Sequence, residues 1–233
     1  MKKPGAGRPP VVRRGGFCYN MAMDRIPEIS KRLARAYPNT RTALKFQTPF
    51  QLLVATILSA QSTDEQVNRA TPNLFARMAG PAAFNRASQA EIEKLIGSIN
   101  FYRNKAGYLK RMSGILINRH GGKVPRNMEE LVRLPGVARK TANVVLSQVF
   151  RKNEGVVVDT HVARVSQRLG LTRETDPVKI ETDLMAILPQ RDWGNFAFRL
   201  ILHGRWVCQA RKPACAGCCL EDLCPSSLLK KES

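Results

Sequence analysis

The sequence predicts an all-α protein. Strand patterning is almost absent, several segments begin with a capping residue followed three positions later by an acid or amide, and Gly or Pro interrupts the apolar periodicity where each segment should stop. Thr48-Pro49-Phe50-Gln51 joins an N-cap, a first-turn proline and a glutamine three residues past the cap. The apolar run 50–58 that follows predicts a largely buried helix. Ser62 with Glu65, Ser88 with Glu91, and Asn127 with Glu130 repeat the capping spacing. Ala106, Leu109, Met112 and Ile115/Leu116 recur at helical spacing within 103–120, and Gly121-Gly122 ends that helix. Asp176-Pro177 opens another helix, which Pro189 closes. Segment 192–203 is apolar on most of its surface and should be well buried. About ten helices are expected in all.

The chain has 233 residues, 43% of them hydrophobic, enough for one domain or two small ones with a real core. Lys and Arg outnumber Asp and Glu by 38 to 18, a net charge of +20. Such an imbalance repels itself unless a polyanion neutralises it. Nucleic acid fits, because Lys and Arg gain affinity by releasing counterions from phosphates. An anionic membrane surface and a generally basic solvated surface are the alternatives on charge alone. Apolar stretches such as 52–58 are too short to span a bilayer, so no membrane insertion is expected. Basic residues near the N-terminus are followed by no apolar run, which argues against a secretory signal. Residues 1–20 read as a flexible basic arm.

Five of the six cysteines fall within 208–224, the sixth being Cys18. Clustering in a chain without a secretory signal points to metal and away from a disulfide framework. The spacing Cys208-x6-Cys215-x2-Cys218-x5-Cys224 provides four thiolates for either an iron–sulfur cluster or a tetrahedral zinc, and spacing does not choose between them. Cys219 breaks the pattern and reads as a spare.

Leu134-Pro135-Gly136-Val137-Ala138 separates two predicted helices, because Pro135 and Gly136 cannot continue the first. A connector this short makes a helix–hairpin–helix. Its glycine allows close backbone approach, and the next helix offers unpaired N–H groups with Arg139 and Lys140 beside them, a fit to one backbone phosphate. An ordinary interhelical turn with solvated charges has the same pattern.

Four segments, in order, resemble the endonuclease III family. They are the hairpin stretch Leu134-Pro135-Gly136-Val137-Ala138-Arg139-Lys140-Thr141-Ala142-Asn143, the stretch Val158-Asp159-Thr160-His161-Val162-Ala163-Arg164-Val165, the cysteine spacing, and Leu58-Ser59-Ala60-Gln61-Ser62-Thr63-Asp64. The resemblance runs over about residues 24–225. It implies a helix–hairpin–helix glycosylase that excises oxidised pyrimidines from duplex DNA and cleaves the abasic strand by β-elimination through a lysine Schiff base. It also implies a [4Fe–4S] cluster on Cys208, Cys215, Cys218 and Cys224, with a structural and DNA-contacting role.

Two helical domains with a DNA-binding cleft between them follow from the same resemblance. Residues 42–152 would form the hairpin domain, and 21–41 with 153–226 the cluster domain, with 227–233 as a tail. Lys140 would be the nucleophile and Asp159 its partner across the cleft. The amine must be uncharged to attack, which partial burial or Arg139 next door would favour. On residue type alone, Asp159 reads first as an N-cap and Lys140 first as a phosphate contact, and the resemblance reverses that order. Gln61 matches the residue that fills the space left by the flipped base, and Phe101 falls where the family usually has a wedging leucine, although a lone Phe is by default a core residue. Leu134, Gly136, Ala138, Arg139 and Thr141 of the hairpin and His161 would contact DNA, His161 having a hydrogen bond within its own helix as its alternative.

Two departures stand out. Ala138 and Asn100 occupy positions where the family usually or often has glycine. If Ala138 needs a left-handed backbone it costs about 1 kcal/mol, and asparagine tolerates such geometry at position 100. The related adenine glycosylase lacks the lysine nucleophile, and a DNA-binding iron–sulfur protein without activity is the remaining alternative. The partner expected is double-stranded DNA with damaged pyrimidines or abasic sites, the protein acting as a monomer without membrane contact. It would be cytoplasmic and nucleoid-associated if bacterial, nuclear if eukaryotic.

Overall fold

The computed structural model describes residues 13–14 and 17–229, with side chains from Met23 onward. Most of the basic arm expected over 1–20 lies outside the described residues. Arg13–Arg14 (β1) pairs antiparallel with Phe17–Cys18 (β2), the only strands among the described residues. Helix α1 (Tyr19–Ala36) follows directly. The rest is helical, as the missing alternation predicts. The described residues divide into two compact units, one of residues 41–157 and one in which the described residues up to 40 join those from 158 to 229.

The 41–157 unit is built on α2 (Pro49–Leu58), in which every residue from Phe50 to Leu58 is buried. Thr48 caps it by accepting from the Gln51 N–H at 3.2 Å, while the Gln51 side chain reaches back past the cap to the Gln47 N–H at 2.7 Å. Helix α3 (Asp64–Arg77) starts one residue later than Ser62–Glu65 predicts, because Thr63 and Gln66 form the capping box. Helices α4 (Pro81–Arg86) and α5 (Gln89–Leu95) follow, the latter with the expected Ser88–Glu91 box. Helix α6 (Tyr102–His120) buries Ala106, Leu109, Met112 and Leu116 and stops at Gly121. Asn127 caps the short α7 (Met128–Val132), and α8 (Arg139–Val149) closes the unit. The ring of Phe84 meets Phe50 edge-on at 5.3 Å in this core. Each such buried side chain stabilises the unit by about 1.5–3 kcal/mol relative to exposure.

In the other unit, α1 packs with α10 (Pro177–Ile187) and α11 (Trp193–Trp206), and α9 (Thr160–Arg168) packs on α11. Asp176 caps α10 through the N–H groups of Val178 and Lys179, as its Asp-Pro start predicts. Gly204 permits close approach of α9 to α11, since a Cβ there would lie 2.9 Å from the Cβ of His161. Past α11 the cysteine segment folds back on α1. Arg32 holds the Asp222 carboxylate through two nitrogens at 2.5 and 3.1 Å, and Arg25 donates to the Leu223 carbonyl at 2.7 Å. No helix among the described residues is long and apolar enough to cross a membrane.

Candidate active site

Between α7 and α8 the connector turns on Gly136, whose φ of +79° is left-handed and natural to glycine. Leu134 and Val137 are buried and anchor the turn from inside, so Leu134 can reach a ligand only through its main chain. Ala138 has φ −82° and ψ 165°, ordinary extended backbone at the N-cap of α8. Alanine in place of glycine therefore carries no backbone penalty here. Its methyl cannot cap, so Ala138 gives α8 no side-chain cap hydrogen bond. The first-turn amides keep their positive dipole end for an anion. Arg139 and Lys140 are exposed on this first turn and Thr141 is half-buried. Lys140 is thus not shielded by burial, contrary to one expectation. Within its own unit its amine makes no hydrogen bond or ion pair.

Gln61 and Phe101 belong to two loops of the same unit. Gln61 lies after the C-terminus of α2 at φ +55°, and Phe101 is the N-cap of α6 at φ +57°. Non-glycine residues in this region are strained by roughly 1 kcal/mol each, and such strain gathers at working sites. Gln61 is exposed and Phe101 is 61% exposed, which removes the core reading of Phe101. Asn100 is not among the residues with positive φ, so it does not stand in for glycine by backbone geometry. Its amide donates instead to the Gln61 carbonyl at 2.5 Å, and its N–H donates to Ser62 Oγ at 3.3 Å. Beneath them Lys105 is buried. Its ammonium donates to the carbonyls of Leu58 at 2.7 Å and Ala60 at 2.6 Å, and to Ser62 Oγ at 3.5 Å. Burial lowers the Lys105 pKa to about 8. The carbonyls at the end of α2 favour the charged form against that burial.

In the second unit, Asp159 is half-buried and caps α9. One carboxylate oxygen, Oδ1, accepts from the N–H groups of His161 at 2.9 Å and Val162 at 2.8 Å. Oδ2 takes no hydrogen bond among the described residues. His161 is half-buried, with its Nδ1 beside Arg164 Nη2 at 3.1 Å, the structural bond foreseen as the alternative to phosphate contact.

The four expected cysteines line one cavity, with Val165, Leu169 and His203 among its other walls, and Cys219 is not among the lining residues. The cysteines form no disulfide. No three His, Cys, Asp or Glu side chains among the described residues gather tightly enough to hold one metal ion. Four thiols spread around a shared cavity suit a multi-iron cluster better than a single zinc, whose sulfurs must all lie about 2.3 Å from one point. Arg168 Nη1 donates to Cys208 Sγ at 3.3 Å and the Leu220 N–H to Cys218 Sγ at 3.4 Å, which suits negatively charged ligands. Burial pushes the Cys218 thiol up to about 11, so an unligated thiolate is disfavoured there. Burial also pulls His203, beside Cys218, down to about 4, keeping it neutral.

Residues 54–190 match the HhH-GPD superfamily base excision DNA repair protein family. The chain belongs to this superfamily. Among its HhH-GPD relatives, endonuclease III of Synechocystis is 54% identical over 203 residues, covering 87% of this chain and 93% of the relative. Endonuclease III of Bacillus subtilis is 46% identical, covering 81% and 86%. A solved trapped endonuclease III–DNA covalent intermediate, an estranged-adenine complex, superposes with a TM-score of 0.84 at 39% identity, covering 91% of this chain and 99% of that one. A thermostable thymine-DNA glycosylase shares the HhH-GPD fold with a TM-score of 0.78 at 24% identity.

Sequence reasoning missed Asn100 as a tie and Lys105 altogether. Lys105 was detectable as a charged residue next to Ala106 on the apolar stripe of α6, where burial demands partners.

Proposed function

We propose that this chain is a bifunctional base-excision enzyme of the endonuclease III type. It removes oxidised pyrimidines from duplex DNA and cleaves the abasic strand. One observation carries the reading: Lys140 presents an exposed amine with no ion pair in its own unit, on the first turn of α8 directly after the hairpin, where Ala138 supplies no side-chain cap.

Hairpin amides and the basic first turn of α8 hold the backbone phosphate, and the target nucleotide is extruded, since a stacked base is out of reach. Bound DNA displaces water from Lys140. Its lone pair forms a bond to C1′ as the N-glycosidic bond breaks, and the base leaves with the electrons of the glycosidic bond and takes up a proton from solvent. Asp159, one oxygen committed to its helix, uses the other to oppose positive charge on the sugar and to take the amine proton. The ring opens as O4′ takes the proton held by Asp159, leaving a protonated imine between C1′ and Nζ. Loss of a 2′ proton then breaks the C3′–O bond and releases the 3′ phosphate. Gln61 supports the orphaned partner base and Phe101 enters the stack.

Cys208, Cys215, Cys218 and Cys224 would hold a [4Fe–4S] cluster, which when bound cross-links the loop through four thiolates. Arg164 and Arg168 tie α9 to that loop through the Cys208, Gln209 and Ala210 carbonyls.

A panel of duplexes, each with one oxidised base, tests this reading. Wild-type protein should nick those with oxidised pyrimidines, and Lys140→Gln should bind them without nicking. Equal nicking by both proteins would overturn it.

A further inference from the structure

Resting on that reading, we infer that Lys105 and Asn100 are positioning residues that lock the Gln61 and Phe101 loops into one rigid DNA-invading unit. Gln61 and Phe101 come from segments far apart in sequence. Each stands in left-handed geometry that its own chemistry does not favour. Each is exposed, so packing of its own side chain does not hold it. What holds the loops is a small polar network. The Lys105 ammonium, carried on the first turns of α6 behind Phe101, spans the carbonyls of Leu58 and Ala60 and reaches Ser62, the residues on either side of Gln61. Asn100, adjacent to Phe101, grips the Gln61 carbonyl itself and donates its N–H to Ser62. Gln66 adds a longer bond from α3 to the Ser98 carbonyl at 3.5 Å.

The network accounts for two oddities. A lysine buried without a carboxylate partner is costly unless its three protons find acceptors, and here all three have one. An asparagine stands where the family often has glycine, yet it works through its side chain and not through a left-handed backbone. Glycine could not make the Asn100 tie. A gap-filling pair must enter the duplex together and keep its spacing, because a misplacement of about 1 Å is enough to cost large factors in rate.

The test uses single-turnover base removal from two duplexes. In one the oxidised pyrimidine is paired with a normal base. In the other it faces a baseless spacer, so no orphan base needs support and extrusion is easy. Lys105→Met and Asn100→Ala should slow the paired substrate about tenfold more than the spacer substrate, as should Gln61→Ala. Adding Lys105→Met to Gln61→Ala should deepen the paired-duplex loss by less than the product of the single effects. Asn100→Ala changes an exposed loop residue, so it reads the role even if Lys105→Met folds poorly. Equal slowing on both substrates, no slowing, or full additivity with Gln61→Ala would overturn the positioning role. Wild-type protein inactive on both duplexes would instead overturn the enzymatic reading.

Discussion

Gly136 lies flat against the ring of Tyr108: a Cβ at that position would sit 3.0 Å from Tyr108 Cδ2 and 3.1 Å from its Cβ and Cγ. The glycine is fixed twice over, by this contact and by its φ of +79°. Gly136→Ala should therefore destabilise the protein by about 1–3 kcal/mol and weaken DNA binding, since the turn must open to admit the methyl. Urea denaturation and a DNA titration check both effects. Alanine tolerated without loss in either would mean that the hairpin is not held as described.

Two positions away the expectation reverses. Ala138 has no left-handed demand and no capping side chain. Ala138→Asp should supply the missing cap and raise stability by about 0.5–2 kcal/mol. The same carboxylate occupies the amides assigned to phosphate and repels it, so DNA affinity should fall. Affinity that rises or holds alongside stability would show that phosphate does not bind these amides.

Asp159 joins a structural task to a chemical one. Asn is as good a cap as Asp, so Asp159→Asn should keep thermal stability within about 0.5 kcal/mol, while Asp159→Ala loses about 1 kcal/mol or more. Both should lower base removal by roughly 10²-fold or more, because neither carries the charge. Activity that tracks cap strength would reduce Asp159 to a structural residue.

Lys105 makes a prediction about pH. Its pKa is about 8 when folded, below the ordinary lysine value of 10.5. Between these values the unfolded chain binds the proton more tightly, so this group's contribution to stability rises with pH across the window. Below pH 8 the cost of burying charge is constant. The stability difference between wild type and Lys105→Met should thus move toward wild type from pH 8 to 10.5, by on the order of 3 kcal/mol. Paired urea titrations measure it, and a flat difference would mean that Lys105 is not desolvated. At neutral pH Lys105→Met need not be less stable than wild type, since replacing a buried charge with an apolar side chain is often neutral. Loss of loop positioning without loss of stability is the signature expected.

Most of the fold was legible in local signals. The caps at Thr48, Ser88, Asn127 and Asp176 stand where the spacing puts them, because a cap involves residues only three or four apart. The start of α3 was not legible to one residue. Ser62-x-x-Glu65 and Thr63-x-x-Gln66 both satisfy the pattern, and what decides between them is a bond from Asn100, 38 residues away, that takes up the Ser62 hydroxyl. Lys105 was hidden for the same reason, its acceptors lying 47 and 45 residues upstream. The four-cysteine spacing was legible because it is itself local, and those four side chains line one cavity. Spacing does not choose between zinc and cluster, since that depends on how widely the folded chain separates the thiols.

The central claim is that one amine performs the covalent step. Wild-type protein incubated with abasic duplex and borohydride should be trapped as a covalent adduct, and proteolysis should place the reduced sugar on Lys140, with no adduct from Lys140→Gln. An adduct mapped to another lysine, or undiminished trapping of Lys140→Gln, would contradict the account.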